Sequence, residues 1–349
     1  MLSSELLDHF EHQAKACDSL GSPFTARVCR LLPTLLDDST ATGRRAVEWP
    51  SNFRADALAL RLTGGLHALV LAGADDALKS AYPPNQASNT ELAEAVGGAI
   101  ARHDGFLHDY LNSPPQTNEV ARSGMLLPGF LAIARETSLP LAIREIGSSA
   151  GLNLVFDRFR YVYGNAVWGD ENAPVVLSPE VRGAQPVPLG GDLRIASRAG
   201  SDISPVDIAG EAERNRLLSY VWADQALRFS RIEAAIGLAK DAQVRVARAD
   251  AADFVRAELA GRREGEAFAL FHSIMWQYMP QASKEAIHAA LEEAGKGATR
   301  DAPIARLRME PLGEAPHATL SLTSWPGGET RRLAKCDYHG RWIEWLRAG

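Results

Sequence analysis

Hydrophobic positions in the first third of the chain recur with a helical period. Leu6, Phe10 and Ala14 open an amphipathic stretch, because apolar residues three or four apart line one face of a helix. Gly21-Ser22-Pro23 interrupts the pattern, and Val28, Leu31 and Leu32 resume it. Leu58, Leu62, Leu66 and Leu69 predict a third helix over 56–72, with Gly64-Gly65 inside it working against that assignment. Tyr82-Pro83-Pro84-Asn85 marks a break, and residues 90–110 predict a further helix. No run of alternating strands is visible here. The pattern therefore predicts a helical N-terminal domain over residues 1–125.

The period changes after Pro140. Leu141 to Ile146 is a short apolar run of strand length, followed by Gly147-Ser148-Ser149-Ala150-Gly151 and then by a helical-looking Leu152-Asn153-Leu154-Val155-Phe156. Further strands are predicted over 193–197, 244–249, 267–272, 304–309 and 318–323, several of them separated by helical segments. Alternating β and α elements imply an α/β fold with a mostly parallel, doubly wound sheet. This second domain is assigned residues 126–349. Residues 157–192, rich in Gly, Pro and Tyr, read as an irregular insertion or hairpin within it.

Composition narrows the class. With 46% hydrophobic and 23% charged residues, the chain is too apolar for disorder and can bury a core of ordinary size. A net charge of −6 argues against a general nucleic-acid binder, which carries a basic face. Cys17, Cys29 and Cys336 are odd in number and far apart, which predicts reduced thiols and neither a disulfide framework nor a zinc site. No His, Asp or Glu cluster has metal-ligand spacing. The N-terminus has no apolar leader, and no apolar run approaches the ~18 residues of a membrane span. The expectation is a cytoplasmic protein with no membrane or nucleic-acid partner.

Four strand ends carry candidate chemistry. Glu145-Ile146-Gly147-Ser148-Ser149-Ala150-Gly151 places small residues between a strand and a helix, where a ligand can approach the backbone closely. The same residues also suit a plain tight turn. Asp202, in Ala199-Gly200-Ser201-Asp202, suits an acid that accepts hydrogen bonds from both ribose hydroxyls or one that caps a turn. It follows Gly147 by 55 positions, whereas a compact unit places such an acid about 20 residues on; the insertion accounts for the difference. Asp250-Ala251 follows the next strand and suits either an adenine contact or an N-cap. Phe271-His272-Ser273-Ile274-Met275-Trp276-Gln277-Tyr278 then empties an apolar strand into polar and aromatic groups. His272 suits a general base, and Trp276 and Tyr278 suit stacking, or all three form a packed aromatic cluster.

The order of these features resembles the class I S-adenosylmethionine-dependent methyltransferases. That resemblance covers residues 140–349. It implies that Glu145, Gly147 and Gly151 hold the methionine end of the cofactor, Gly200 and Asp202 the ribose, and Asp250 with Ala251 the adenine, with Ser149 and Asn153 counted among the cofactor-binding residues. Ser149 stands where many members have glycine. The whole chain is also similar to a bacterial family catalogued as domain of unknown function 2332. The stretches carrying that similarity are Thr117-Asn118-Glu119, 145–153, 271–277, Trp325-Pro326-Gly327-Gly328 and His339-Gly340-Arg341-Trp342.

Other polar groups are left without an assigned role: Gln116, Asn118, Arg122, Trp276 and His339. Glu119 and Arg122 are three apart and pair on a helix, or line a cleft where the two domains meet. Tyr220 to Gln225 fits that cleft or an amphipathic surface helix. Three functions stay open. The first is methyl transfer to a small molecule or peptide, with His272 removing a proton and Glu119 or Tyr278 orienting the acceptor. The second is a non-catalytic nucleotide-binding or regulatory module. The third, an NAD(P)-dependent oxidoreductase, lacks the closely spaced G-x-G-x-x-G turn.

Overall fold

A computed structural model describes residues 2–116 and 118–346; Thr117 lies outside the described residues. The chain divides into two compact units, Met1–Thr117 with Ala209–Ser230, and Asn118–Ile208 with Arg231–Gly349.

The first unit is built of helices: α1 (Ser4–Ser19), α2 (Pro23–Leu35), α3 (Ala41–Val47), α4 (Leu58–Leu71), α5 (Asp76–Ala81), α6 (Asn89–Arg102) and α7 (Asp104–Tyr110), with α9 (Glu211–Ser219). The apolar stripes read from the sequence meet in one core that joins Leu6, Phe10 and Ala14 of α1 to Val28 and Leu32 of α2 and Leu58, Leu62, Leu66 and Leu69 of α4. Leu31 packs against that core only partly buried. The single helix expected over 90–110 is two, because the backbone leaves helical geometry at His103 (φ −115°, ψ 28°). Residues 221–225 are not a helix, since α9 ends at Ser219. Asp224 instead accepts hydrogen bonds from the Ser22 hydroxyl and, at 2.8 Å, from the Phe24 amide. It thereby serves the open N-terminal amides of α2, whose own N-cap side chain makes no such bond.

The second unit holds a nine-stranded sheet. Its strands are β1 (Leu141–Ile146), β5 (Glu180–Arg182), β6 (Ile195–Asp202), β7 (Val246–Arg248), β8 (Ala267–Ser273), β9 (Ile304–Pro311), β10 (Ala318–Trp325), β11 (Glu329–Cys336) and β12 (Trp342–Trp345), in the order β5-β12-β11-β10-β9-β8-β1-β6-β7. From β7 to β9 every pairing is parallel; β9 to β12 is an antiparallel meander. The chain proceeds from β1 outward through β6 to β7, then returns to the other side of β1 with β8 and β9. The direction of strand addition reverses between β1 and β8, which is where open α/β sheets bind ligands. The insertion is a small sheet of β2 (Arg160–Tyr163), β3 (Ala166–Trp168) and β4 (Val176–Leu177).

The alternation of side chains along β8 and β9 assigns the two faces. Phe268 and Leu270 join a core with Phe254, Val255 and Leu259 of α11 (Ala251–Ala260) and Ile287 and Leu291 of α12 (Gln281–Lys296). Phe271 points the opposite way and meets Phe130 of α8 (Ser123–Thr137) edge-on at 5.1 Å. Leu307 of β9 lies on the α8 face too, where a Cβ at Gly129 would stand 2.5 Å from its Cδ1. Helices thus cover both faces of the parallel half, so β8 has no polar alternation and all seven of its residues are buried. No described helix is long and apolar enough to cross a membrane.

Candidate functional site

The Gly147 turn, Asp202 and Asp250 lie along one edge of the sheet. Ile146 pairs with Ser201 and Asp202 with Arg248 in parallel register. The tips of β1, β6 and β7 therefore stand side by side, and β8 adjoins β1 on the other flank. Asp202 is the last residue of β6 itself rather than a residue of the loop beyond it.

Local geometry explains why this edge turns so tightly. Gly147 (φ 67°), Ser149 (φ 53°) and Gly151 (φ 72°) all occupy the left-handed region, which glycine enters freely and serine does not. Asp202 anchors the turn. Its Oδ2 accepts the Ser149 amide at 2.9 Å and its Oδ1 the Ser204 amide at 2.8 Å. Leu152 to Arg158 forms a 3-10 helix rather than a full α-helix. Its first amide donates to Asn118 Oδ1 at 3.0 Å, and Asn118 is itself left-handed (φ 26°).

Behind the turn lies a buried polar group of residues. Glu145 is 2% exposed, and its Oε2 has no hydrogen-bond partner among the described residues. Burial pushes its carboxyl well above the ordinary carboxylate range; Arg122 pulls in the opposite direction, Asp202 adds to the rise, and a hydrogen bond from Asn153 lowers it. Asn153 is held by the Ser123 hydroxyl, which donates to its Oδ1 at 2.7 Å. Arg122 donates from Nε to the Tyr338 carbonyl at 3.0 Å and from Nη1 to the Ser273 carbonyl at 3.3 Å. It thus ties the segment before α8 to the end of β8 and to the Tyr338-His339 turn. Glu119 is buried, with Oε1 accepting the Ala121 amide at 3.1 Å.

Asp250 stands on the same edge but is engaged locally, and the other candidates fall away from it. Asp250 is exposed and N-caps α11, accepting the amides of Ala252 at 2.8 Å and Asp253 at 3.3 Å; Ala251 begins that helix and is buried. Tyr278 is 78% exposed on a single 3-10 turn, Trp276–Tyr278. His272 is 0% exposed and lies on the α12 face, away from Phe271. Its Nδ1 bonds Glu310 Oε1 at 2.6 Å and its ring stacks on Trp276 at 4.9 Å. Burial pulls its pKa down to about 4, against the hydrogen bond and charge of Glu310. His339 donates its backbone amide to Asp337 Oδ1 at 2.9 Å.

Sequence reasoning passed over Met275 and Ile274. A Cβ on Gly147 would stand 2.8 Å from Met275 Cγ, so the thioether packs directly onto the turn. Ile274 is left-handed (φ 51°), which is unusual for a β-branched residue and marks a backbone held by its surroundings. Neither has a sequence signature, since a methionine and an isoleucine after an apolar strand look like its continuation.

The fold and this edge define an α/β protein with a largely parallel, helix-covered sheet and a polar cluster at its strand-order reversal. The chain belongs to the family described as "Uncharacterized protein conserved in bacteria (DUF2332)", whose model matches residues 7–345. No curated protein and no solved structure matches it.

Proposed function

We propose that the edge formed by β7, β6, β1 and β8 binds S-adenosylmethionine and that the protein transfers its methyl group to a small molecule or peptide. What supports this reading is the convergence of the Gly147 turn, Asp202 and Asp250 on adjoining parallel strand tips at the switch point. The residues present fit an adenosyl amino acid. Glu145 Oε2 and Ser149 Oγ are buried atoms without partners among the described residues, and such groups call for one. Each carboxylate oxygen of Asp202 accepts a single amide and retains a further lone pair for a ribose hydroxyl. In this reading Glu145, Gly147, Ser149, Gly151 and Asn153 hold the methionine end, Asp202 the ribose, and Asp250 with Ala251 the adenine. The cofactor would supply a methyl group on a positively charged sulfur. The protein's part is to hold an acceptor in line with it.

One observation favours a second reading, a non-catalytic binding or regulatory module: the candidate base His272 is wholly buried with both ring nitrogens engaged. Calorimetry and thermal shift with S-adenosylmethionine, its demethylated product, NAD and NADP separate the possibilities. Ligand at 100 times its Kd stabilises the folded state by about 2.7 kcal/mol. Binding of the first two ligands without turnover would point to the second reading, and a response to NAD alone would overturn both adenosyl-methionine readings. Asp202→Ala is expected to abolish the response, while Asp202→Asn, which keeps one acceptor oxygen for the turn, retains the fold. Unchanged affinity in Asp202→Ala removes that residue from the ribose role.

A further inference from the structure

Behind Trp276, on the face of β8 and β9 covered by α12, one buried and one half-buried arginine stand with too little negative charge. Arg306 is 2% exposed. Its Nη2 meets His272 Nε2 at 3.2 Å, its Nη1 meets His288 Nδ1 at 3.2 Å, and its Cζ lies 4.3 Å from the Trp276 ring centre. A guanidinium only donates, so His272 Nε2 accepts and carries no proton, while Nη1 stands 3.2 and 3.5 Å from the two ring nitrogens of His288. His272 therefore holds its proton on Nδ1 and gives that hydrogen bond to Glu310. Glu310 Oε1 is also within 3.3 Å of the amides of Met275 and Trp276. Its Oε2 is buried with no hydrogen-bond partner among the described residues, as are Arg306 Nε and Arg308 Nε.

The charges do not cancel. Arg306 and Arg308 are positive, both histidines are drawn toward the neutral form by burial, and Glu310 supplies one negative charge. Glu292 lies near His288, as a further acid of α12. Burial, and then the charge of Arg308, pulls Arg306 down to about 9. A buried cation needs a partner that is both charged and hydrogen-bonded, and a guanidinium fork matches the two oxygens of a carboxylate or phosphate. The cluster reaches solvent through half-buried Arg308 and exposed His288.

We propose that Arg306, Arg308 and His288, flanked by Trp276, form a binding site for the oxyanion of a small molecule, a carboxylate or a phosphate. The site goes beyond the adenosyl reading: both adjoin β8, but this one is built on β9 and α12 rather than on the tips of β1, β6 and β7.

The test uses the full chain, titrated with inorganic phosphate, with acetate and with chloride at matched ionic strength, and read by calorimetry and thermal shift. Phosphate or acetate is expected to bind saturably and raise Tm where chloride does not. A phosphate response alone assigns a phosphorylated ligand, and an acetate response alone assigns a carboxylic acid. Arg308→Gln is expected to weaken binding roughly tenfold, the loss of about one hydrogen bond to a charged group, while the surface variant Lys296→Gln binds as wild type. If Arg308→Gln fails to fold, Arg308→Lys keeps the charge and loses the fork, and weaker binding by it carries the same meaning. Anion binding is also expected to change the fluorescence of the wild type but not of Trp276→Phe. Equal responses to all three anions, or equal affinity in the Arg308 variants, overturn the proposal. Loss of S-adenosylmethionine binding in Asp202→Ala with anion binding intact separates the two sites.

Discussion

Replacing Gly147 by alanine tests whether the turn is shaped by Met275. Two costs add. Gly147 sits at φ 67°, and an L-residue held in the left-handed region costs about 1–2 kcal/mol. The new Cβ would stand 2.8, 2.9 and 3.1 Å from Met275 Cγ, Cε and Cβ, and forcing an extra methyl into a packed site costs about 1–3 kcal/mol. The sum is about 2–5 kcal/mol. Met275→Ala removes Cγ and Cε but not the backbone requirement. In the double variant most of the steric cost is expected to go, leaving the 3.1 Å approach to the residue 275 Cβ and the backbone cost of about 1–2 kcal/mol. The coupling between the two substitutions should therefore be about 1–3 kcal/mol, measured as shifts of the urea midpoint by circular dichroism with unchanged slope. Additivity within about 0.5 kcal/mol would refute the contact, and a Gly147→Ala midpoint equal to wild type would refute the strained turn as well.

Two pH predictions follow from burial. Glu145, whose pKa burial raises, binds its proton more tightly in the folded state, so stability falls as pH climbs from the unfolded value through the folded one. Glu145→Gln has no charge to desolvate, so its stability relative to wild type is expected to grow as pH rises above the ordinary carboxylate range; a constant difference in denaturation midpoints would show that Glu145 is not destabilised by burial. His272, lowered to about 4 from 6.5, has the opposite sign: its contribution is complete above about 6.5 and is lost as pH falls toward 4, because only the unfolded chain takes the proton. His272→Asn is expected to remove on the order of 3 kcal/mol of acid sensitivity across that window, and an unchanged pH profile would place the proton elsewhere.

The amino-acid pattern alone determined much of the frame. Apolar periodicity located α1, α2 and α4, and short apolar runs located β1, β8, β9 and β10; for β1 and β8, parallel to both neighbours, burial on both faces leaves a continuous hydrophobic signal. The Gly147 turn, Asp202 and Asp250 were legible as residues at strand ends, since glycine and aspartate answer to local backbone geometry. The strands β11 and β12 were not legible. The first four residues of β11, Glu329 to Arg332, are exposed and charged or polar, so strand identity there comes from pairing with β10 rather than from hydrophobic alternation.

What only the tertiary structure decided is how these residues meet. Asp202 is the anchor of the Ser149 turn across 53 positions of sequence, and Asp224 is the cap of a helix some two hundred residues earlier. His272 and Arg306 look alike to an exposed histidine and arginine until the register of β8 against β9 buries them together beneath α12. Burial and long-range pairing set the charge state of Glu145 and His272, and neither quantity is carried by any local stretch of chain. Residue type and spacing specify elements; the dielectric and the partners of each polar group arise only when elements distant in sequence pack.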